Sequence, residues 1–260
     1  MNNPRIYGNK PFSIALIHGG PGAPGEMAPI ARELSRSFGI LEPLQTASSV
    51  EGQLQELHSI LQNHSDFPIT LIGHSWGAWL SFLFAARYSS IVKKLILIGS
   101  GPFEEKYAVN ITVTRLSRLT ENERTELDAL QELLSNPNIK NENDIFVRFE
   151  KLMSKADSFD PLPFESDVLE YQPDIFQSVW KEAKELRQSG KLLKIGNQVQ
   201  CPVAAIHGDY DPHPAEGVKS PLSKIIKDFR FILLEKCGHN PWIERNAKEN
   251  FYEILHKELT

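Results

Sequence analysis

The sequence predicts an α/β fold: a parallel sheet with helices on both faces, interrupted by a helical insertion. Two observations predict it. Before Pro102 and after Ile195, short and nearly continuous apolar runs alternate with amphipathic stretches. That is the pattern of strands buried on both faces by crossover helices. Between these two parts, from Pro102 to Ile195, no strong strand run occurs and polar helical segments take over.

Residues 12–17 (FSIALI) form an apolar run too short for a helix and stopped by His18-Gly19-Gly20, so they read as a buried strand. Residues 26–37 carry apolar positions at helical spacing, and GILEPL at 39–44 reads as a second strand. Residues 50–62 place Leu54, Leu57 and Leu61 on one helical face. Pro68 opens a third strand, ITLIG; residues 75–88 read as a helix and 93–98 (KKLILI) as a fourth strand. The insertion holds helical segments at 120–135 and 174–190, punctuated by Pro161, Pro163 and Pro173. Alternation then resumes with strand 202–206 (PVAAI), a helix near 215–227, strand 229–234 (FRFILL) and a helix at 244–258. Right-handed crossovers fix the winding of each parallel unit.

Bulk properties narrow the function classes. The 260 residues are 41% hydrophobic and 23% charged, ordinary values that exclude a disordered chain, a coiled coil or a fibre. At about 150 residues per domain this length is more than one domain and less than two. A net charge of −5 gives no basic field for nucleic acid, so no nucleic-acid partner is expected. The opening MNNPRIYGNKPF lacks the apolar stretch of a signal peptide. No apolar run approaches about 18 residues, so no membrane partner is expected. Two cysteines, Cys201 and Cys237, are too few for a disulfide framework and fit a reducing, cytoplasmic setting.

The strongest chemical signal is Gly73-His74-Ser75-Trp76-Gly77, after the strand ITLI and at the start of a helix. A G-x-S-x-G on a strand-to-helix turn lifts the serine above the sheet, at a helix N-terminus that favours developing negative charge. A serine nucleophile needs a base, and the base an orienting acid, here expected in the chain order serine, acid, histidine. His207-Gly208-Asp209-Tyr210-Asp211-Pro212 follows one late strand and Cys237-Gly238-His239-Asn240-Pro241 follows the next. Loops at the carboxyl ends of parallel strands are where open α/β sheets place their sites. Of eight histidines, His58, His64 and His256 lie on or at the ends of amphipathic helices, and His18, His74 and His207 sit at strand ends beside glycines. His213 shares a loop with Asp211; only His239 follows the acid in a glycine-flanked loop after a strand. Asp211 is preferred to Asp209, which directly follows Gly208 and shapes the turn. Two backbone donors should hold the oxyanion: the N–H of Trp76, and one from the loop His18-Gly19-Gly20-Pro21-Gly22, where Gly20 is the candidate because Pro21 has no N–H.

With its HGGPG and GHSWG motifs, the sequence resembles the α/β-hydrolase superfamily, and within it the proline iminopeptidase-like branch. The resemblance covers roughly residues 11–101 and 196–260. It places Ser75, Asp211 and His239 on the triad positions and Gly20 and Trp76 on the oxyanion hole. It implies an α/β-hydrolase core in two parts, 1–101 and 196–260, with residues 102–195 as a helical cap. One departure is visible: few residues precede the first core strand, so the two leading strands of the family are absent or reduced. The expected sheet is therefore mostly parallel, of about six strands, with all six parallel.

The expected activity is a serine hydrolase without cofactor or metal, cleaving an ester or amide of a small molecule or short peptide through an acyl-enzyme. An aminopeptidase releasing N-terminal proline is an alternative. It would need cap carboxylates for the substrate ammonium, for which Glu165, Asp167, Glu170 and Asp174 are candidates. An esterase would use an apolar lining such as Phe159, Leu162, Phe164, Phe176 and Trp180, and Trp79 reads as core. A third reading is a non-catalytic binding protein on the same fold, though the triad is complete. A dinucleotide site must also be weighed. Gly20, Gly22 and Gly25 spell G-x-G-x-x-G, and Glu42 stands where a ribose-binding acid would. Against it, Pro21 and Pro24 remove N–H donors from that loop.

Overall fold

The computed structural model describes residues 2–134 and 142–260. Seven strands form one sheet: β1 (Arg5–Tyr7), β2 (Ile14–Ile17), β3 (Ile40–Glu42), β4 (Ile69–His74), β5 (Val92–Ile98), β6 (Val203–Gly208) and β7 (Phe229–Leu234). Their spatial order is β1-β3-β2-β4-β5-β6-β7. Core helices are α1 (Ala28–Leu34), α2 (Val50–His64) and α3 (Trp76–Arg87). Between β5 and β6 run α4 (Ile111–Ser117), α5 (Glu121–Leu134), α6 (Glu142–Asp157), α7 (Pro173–Gln188) and α8 (Lys191–Ile195). The chain ends with α9 (Glu216–Ile225) and α10 (Lys248–Leu259).

The sheet departs from the expected six parallel strands by one element. β1 pairs antiparallel with β3, Ile6 opposite Leu41, while every other pairing is parallel. A three-residue edge strand carries no periodicity of its own. Here it is held by side chains as well as by the ladder: Arg5 is ion-paired to the buried Glu42 at 2.9 Å, and the Tyr7 hydroxyl donates to Glu42 at 2.8 Å. Elsewhere the expected elements are present with shifted ends. Helix 120–135 is observed as Glu121–Leu134, and position 135 lies outside the described residues. The last helix starts at Lys248, because Pro241–Ile243 forms a separate 3-10 turn.

Alternation along the strands assigns the two faces. Ile17, Leu71, Leu95, Leu97, Val203 and Ala205 look toward α2, α3 and α9. Leu16, Ile72, Ile96, Ile98, Ala204 and Ile206 look toward α1 and α10, meeting Ile30, Leu34, Phe251 and Leu255. Both faces are covered, which is why the strands read as continuous apolar runs. α3 is apolar all round because it lies wholly inside, buried along its length as far as Ala86.

The helices between β5 and β6 divide by packing. Val179 and Ala183 of α7 and Leu192 of α8 join the main core. α5 and α6 gather around a small core of their own, with Leu127, Leu130, Leu152 and Ala156. Glu244 fastens this inserted region to the core. Its fully buried carboxylate accepts from the N–H groups of Phe159 (2.8 Å), Asp160 (2.8 Å) and Gly238 (2.9 Å). Leu162 N–H also donates to the Ile243 carbonyl at 2.7 Å. A glutamine in place of this carboxylate would turn an N–H toward those donors. Glu244→Gln should therefore lower the free energy of unfolding by about 2 kcal/mol, read from urea denaturation; an unchanged midpoint would show that the clamp carries no weight.

Candidate active site

The order β3-β2-β4 reverses the winding of the sheet, so the loops after β2 and β4 leave in opposite directions and open a crevice between them. Ile17 pairs with Gly73, which sets the loop beginning at His18 beside the turn that holds Ser75. That turn is strained: Ser75 has φ 51 and ψ −114, a region that non-glycine residues avoid. Glycine on either side makes it possible. A Cβ on Gly73 would run into the Gly77 carbonyl, and one on Gly77 into the Ile17 carbonyl. The Ser75 N–H donates to the Ile98 carbonyl at 2.9 Å, anchoring the turn to β5. Trp76 is the first residue of α3, so its N–H is among those a helix leaves without an intrahelical partner. Its indole N–H donates to Gln53 of α2 at 2.9 Å.

The loop after β2 is fixed by two side chains. The His18 Nδ1–H donates to the Gly19 carbonyl at 2.8 Å, leaving Nε2 to accept from the Gln45 N–H at 3.2 Å. Burial pushes the His18 pKa down, in keeping with this neutral form. Glu26 accepts from the Gly19 N–H at 2.8 Å and lies 3.1 Å from Nδ1 of His74. Burial works against a charged Glu26, but His74 and the hydrogen bonds outweigh it and hold the carboxyl down at about 2. Gly20 has φ 105, a left-handed conformation that a side chain would strain.

Asp211 and His239 come from the ends of β6 and β7. Nδ1 of His239 donates to Oδ2 of Asp211 at 2.7 Å, and this leaves Nε2 free. The His239 N–H donates to the Asp157 carbonyl at 2.8 Å, its ring packs 4.7 Å from that of His74, and its carbonyl lies 3.2 Å from Nε2 of His74. Asp209, by contrast, accepts from the Cys237 N–H at 3.1 Å and so shapes the turn. Burial opposes ionisation of Asp211, yet His239, His213 and His207 together drive its pKa well below the usual carboxylate range. Burial opposes protonation of His239, but the Asp211 charge and hydrogen bond prevail and raise its pKa. The structure thus joins Asp211 to His239 and sets Ser75 next to His74, the residue on which His239 packs. Among the described residues no hydrogen bond joins the Ser75 hydroxyl to His239.

Several residues at the site escaped the sequence reading. Asp211, His213 and His239 each bring a possible ligand atom within 4.8 Å of the others. Those approaches are the hydrogen bonds of one carboxylate with two imidazoles, at 2.7 and 2.8 Å, so the geometry is accounted for without a cation. Beside the site, under α6, lies a cavity of about 380 Å³ lined by Glu26, Glu150, Phe164, Tyr171, Asn240 and Trp242 among others. Burial, then Glu26 and Asp157, raise the Glu150 carboxyl to about 7. Among the described residues the Asn240 side-chain oxygen is buried without a hydrogen-bond partner. Of the four cap carboxylates read from the sequence, Glu165 and Asp167 also line this cavity, with Asp167 tied to Arg32 at 2.7 and 2.8 Å. Glu170 and Asp174 are exposed and lie outside it. Trp79 is core, its indole N–H bonded to the Gly101 carbonyl at 3.0 Å. Glu26 and Glu150 had no local signal, because their partners are distant in sequence.

Both features of the dinucleotide reading are engaged otherwise. The Gly22 carbonyl accepts from the Gln172 N–H at 3.0 Å, and the Pro24 carbonyl from the Leu169 N–H at 2.9 Å, so the inserted segment covers that loop. Glu42 is buried against Arg5 and Tyr7.

Comparison with known proteins agrees with the geometry. The family model described as the alpha/beta hydrolase fold matches residues 42–246. Lipase 1 of Psychrobacter immobilis is 26% identical over 247 residues, covering 89% of this chain and 72% of its own. Among solved structures, a proline iminopeptidase of Mycobacterium smegmatis superposes with a TM-score of 0.64 at 17% identity, covering 98% of this chain and 93% of that one. A structure from work on carboxylesterases of Nitrososphaera gargenis gives the same TM-score and coverage at 18% identity. Lipase, esterase and peptidase relatives stand level, so no branch of the superfamily is singled out. Among the described residues no helix is long and apolar enough to cross a membrane.

The two site histidines should titrate apart. By imidazole NMR, His239 should show a midpoint above the ordinary value of about 6.5, and His213 one near 4. Asp211→Asn should bring His239 down. A His239 midpoint below that of a free imidazole would contradict the arrangement.

Proposed function

Because this chain belongs to the α/β hydrolase fold family, we propose that it is a serine hydrolase, cleaving an ester or amide bond of a small molecule or short peptide through an acyl-enzyme. The observation that carries the reading is that one crevice holds both a strained Ser75, just after β4, and a histidine whose Nδ1 is committed to a buried carboxylate. In this mechanism the Ser75 hydroxyl attacks the carbonyl carbon while Nε2 of His239 takes its proton. Asp211 keeps the imidazole in the tautomer that presents Nε2 and stabilises the imidazolium. The N–H groups of Gly20 and Trp76 hold the oxyanion. His239 then protonates the leaving group, and water, activated by the same imidazole, releases the acyl group. No step calls for a metal or an organic cofactor. With two cysteines in 260 residues, the chain suits a reducing, cytoplasmic setting.

Ser75→Ala should keep the fold, since alanine inherits the same backbone strain, and should lower kcat for aryl esters and arylamides by about 10³-fold or more. Retained turnover would refute Ser75 as nucleophile. Absence of turnover in the unmodified protein across a broad ester and amide panel would favour a non-catalytic binding role.

A second, narrower reading is favoured by the cavity under α6, which we read as part of a substrate-covering cap over residues 102–195. Glu26 and Glu150 present two carboxylates to one space and suit a substrate bearing an ammonium group, such as an N-terminal proline. With the Glu150 carboxyl near 7, it is ionised only above that pH. For a proline arylamide kcat/KM should therefore rise as pH passes 7, and Glu150→Gln should remove that rise and cost about tenfold or more. Equal losses on a neutral acyl ester would assign Glu150 to structure instead.

A further inference from the structure

Asp211 spends only one oxygen on His239. Its other oxygen, Oδ1, accepts twice from His213: from the backbone N–H at 2.9 Å and from ring Nδ1 at 2.8 Å. His213 is itself tightly held. It stands between Pro212 and Pro214, so fixed φ angles flank it and the following proline keeps it extended. Its carbonyl accepts from Nε2 of His207, on β6, at 2.7 Å. Its ring lies 4.7 Å from that of His239, and its side chain is 9% exposed. Two imidazoles on different loops therefore share one buried carboxylate, one at each oxygen.

We propose that His213 is a positioning residue of the reaction: its ring N–H holds the second oxygen of Asp211 and so limits how strongly that carboxylate raises the basicity of His239. The proposal rests on the reading of Ser75, Asp211 and His239 as the catalytic triad. A donor on Oδ1 does two things. It locks the carboxylate plane so that Oδ2 stays on His239. It also draws negative charge toward Oδ1 and away from the oxygen that faces the base. For this His213 must donate while staying neutral, and the surroundings ensure it. Burial disfavours its charge, as do His239 and Arg115, against the opposite pull of Asp211, and its pKa sits at about 4. The charge formed during turnover consequently stays on His239, the ring that must return the proton.

The test compares His213→Leu, which removes the ring donor, with His213→Asn, whose amide NH₂ falls near the position of Nδ1 and keeps it. The substrate is an aryl ester turned over by the unmodified protein. With the leucine, kcat should fall about tenfold with little change in KM, and the acid limb of the kcat/KM–pH profile should move up by about half to one unit. His213→Asn should restore both. If the leucine variant does not fold, His213→Gln, whose amide reaches past Nδ1, serves in its place. An acid limb that stays put or moves down, or an asparagine variant no better than leucine, overturns the proposal. Those results leave the triad untouched, whereas turnover by Ser75→Ala would strike the triad itself.

Discussion

Burying a carboxylate is costly unless its oxygens are hydrogen-bonded and opposed by donors, and Asp211, with no exposed side-chain surface, meets that condition on both oxygens. His239 holds one oxygen and His213 the other, while His207 of β6 steadies the backbone of His213. The ends of β6 and β7 and the loops beyond them are organised around this one charge. It also explains an imidazole that stays basic in an interior which by itself would make it less so. The same carboxylate that needs donors is what keeps the His239 imidazole basic.

The complementary constraint is steric. The sheet reverses its order between β2 and β4, so the His18–Gly22 loop and the Ser75 turn meet where no strand connection crosses. Gly73 and Gly77 let that turn press against its own helix and against β2. The strain at Ser75 is of the order of 1–3 kcal/mol and is held by packing around α3, which is buried along almost its whole length. Glu26 then ties the two halves of the crevice together through Gly19 and His74. Above them the inserted helices are fastened by Glu244 and by the Asp157 carbonyl, which accepts from the His239 N–H.

Most of the fold was legible in the sequence because its strands are buried on both faces and bounded by glycine or proline. β1 was not: a three-residue edge strand is specified by its partner and by the contacts of Arg5 and Tyr7 with Glu42, which is distant in sequence. α6 was missed although Ile145, Phe149, Leu152, Met153 and Ala156 stand at helical spacing, a signal that was there to be read. At the candidate site, the glycine-flanked turns at strand ends that carry Ser75, Asp211 and His239 were legible. Glu26, Glu150 and Glu244 were not, since their surroundings include residues dozens of positions away: His74 for Glu26, Glu26 and the loop around Asn240 for Glu150, and Phe159 and Asp160 for Glu244. His213 lies between: its nearness to Asp211 was visible, but two residues' separation does not say which way a ring turns.

The proposed chemistry stands on Ser75 as an activated nucleophile. A fluorophosphonate, which modifies serines only where a base and an oxyanion site support attack at phosphorus, measures it directly by intact mass and peptide mapping. One adduct is expected, on Ser75, formed by the folded protein and lost when it is denatured first. No adduct on the folded protein, or one carried by another residue, would contradict it.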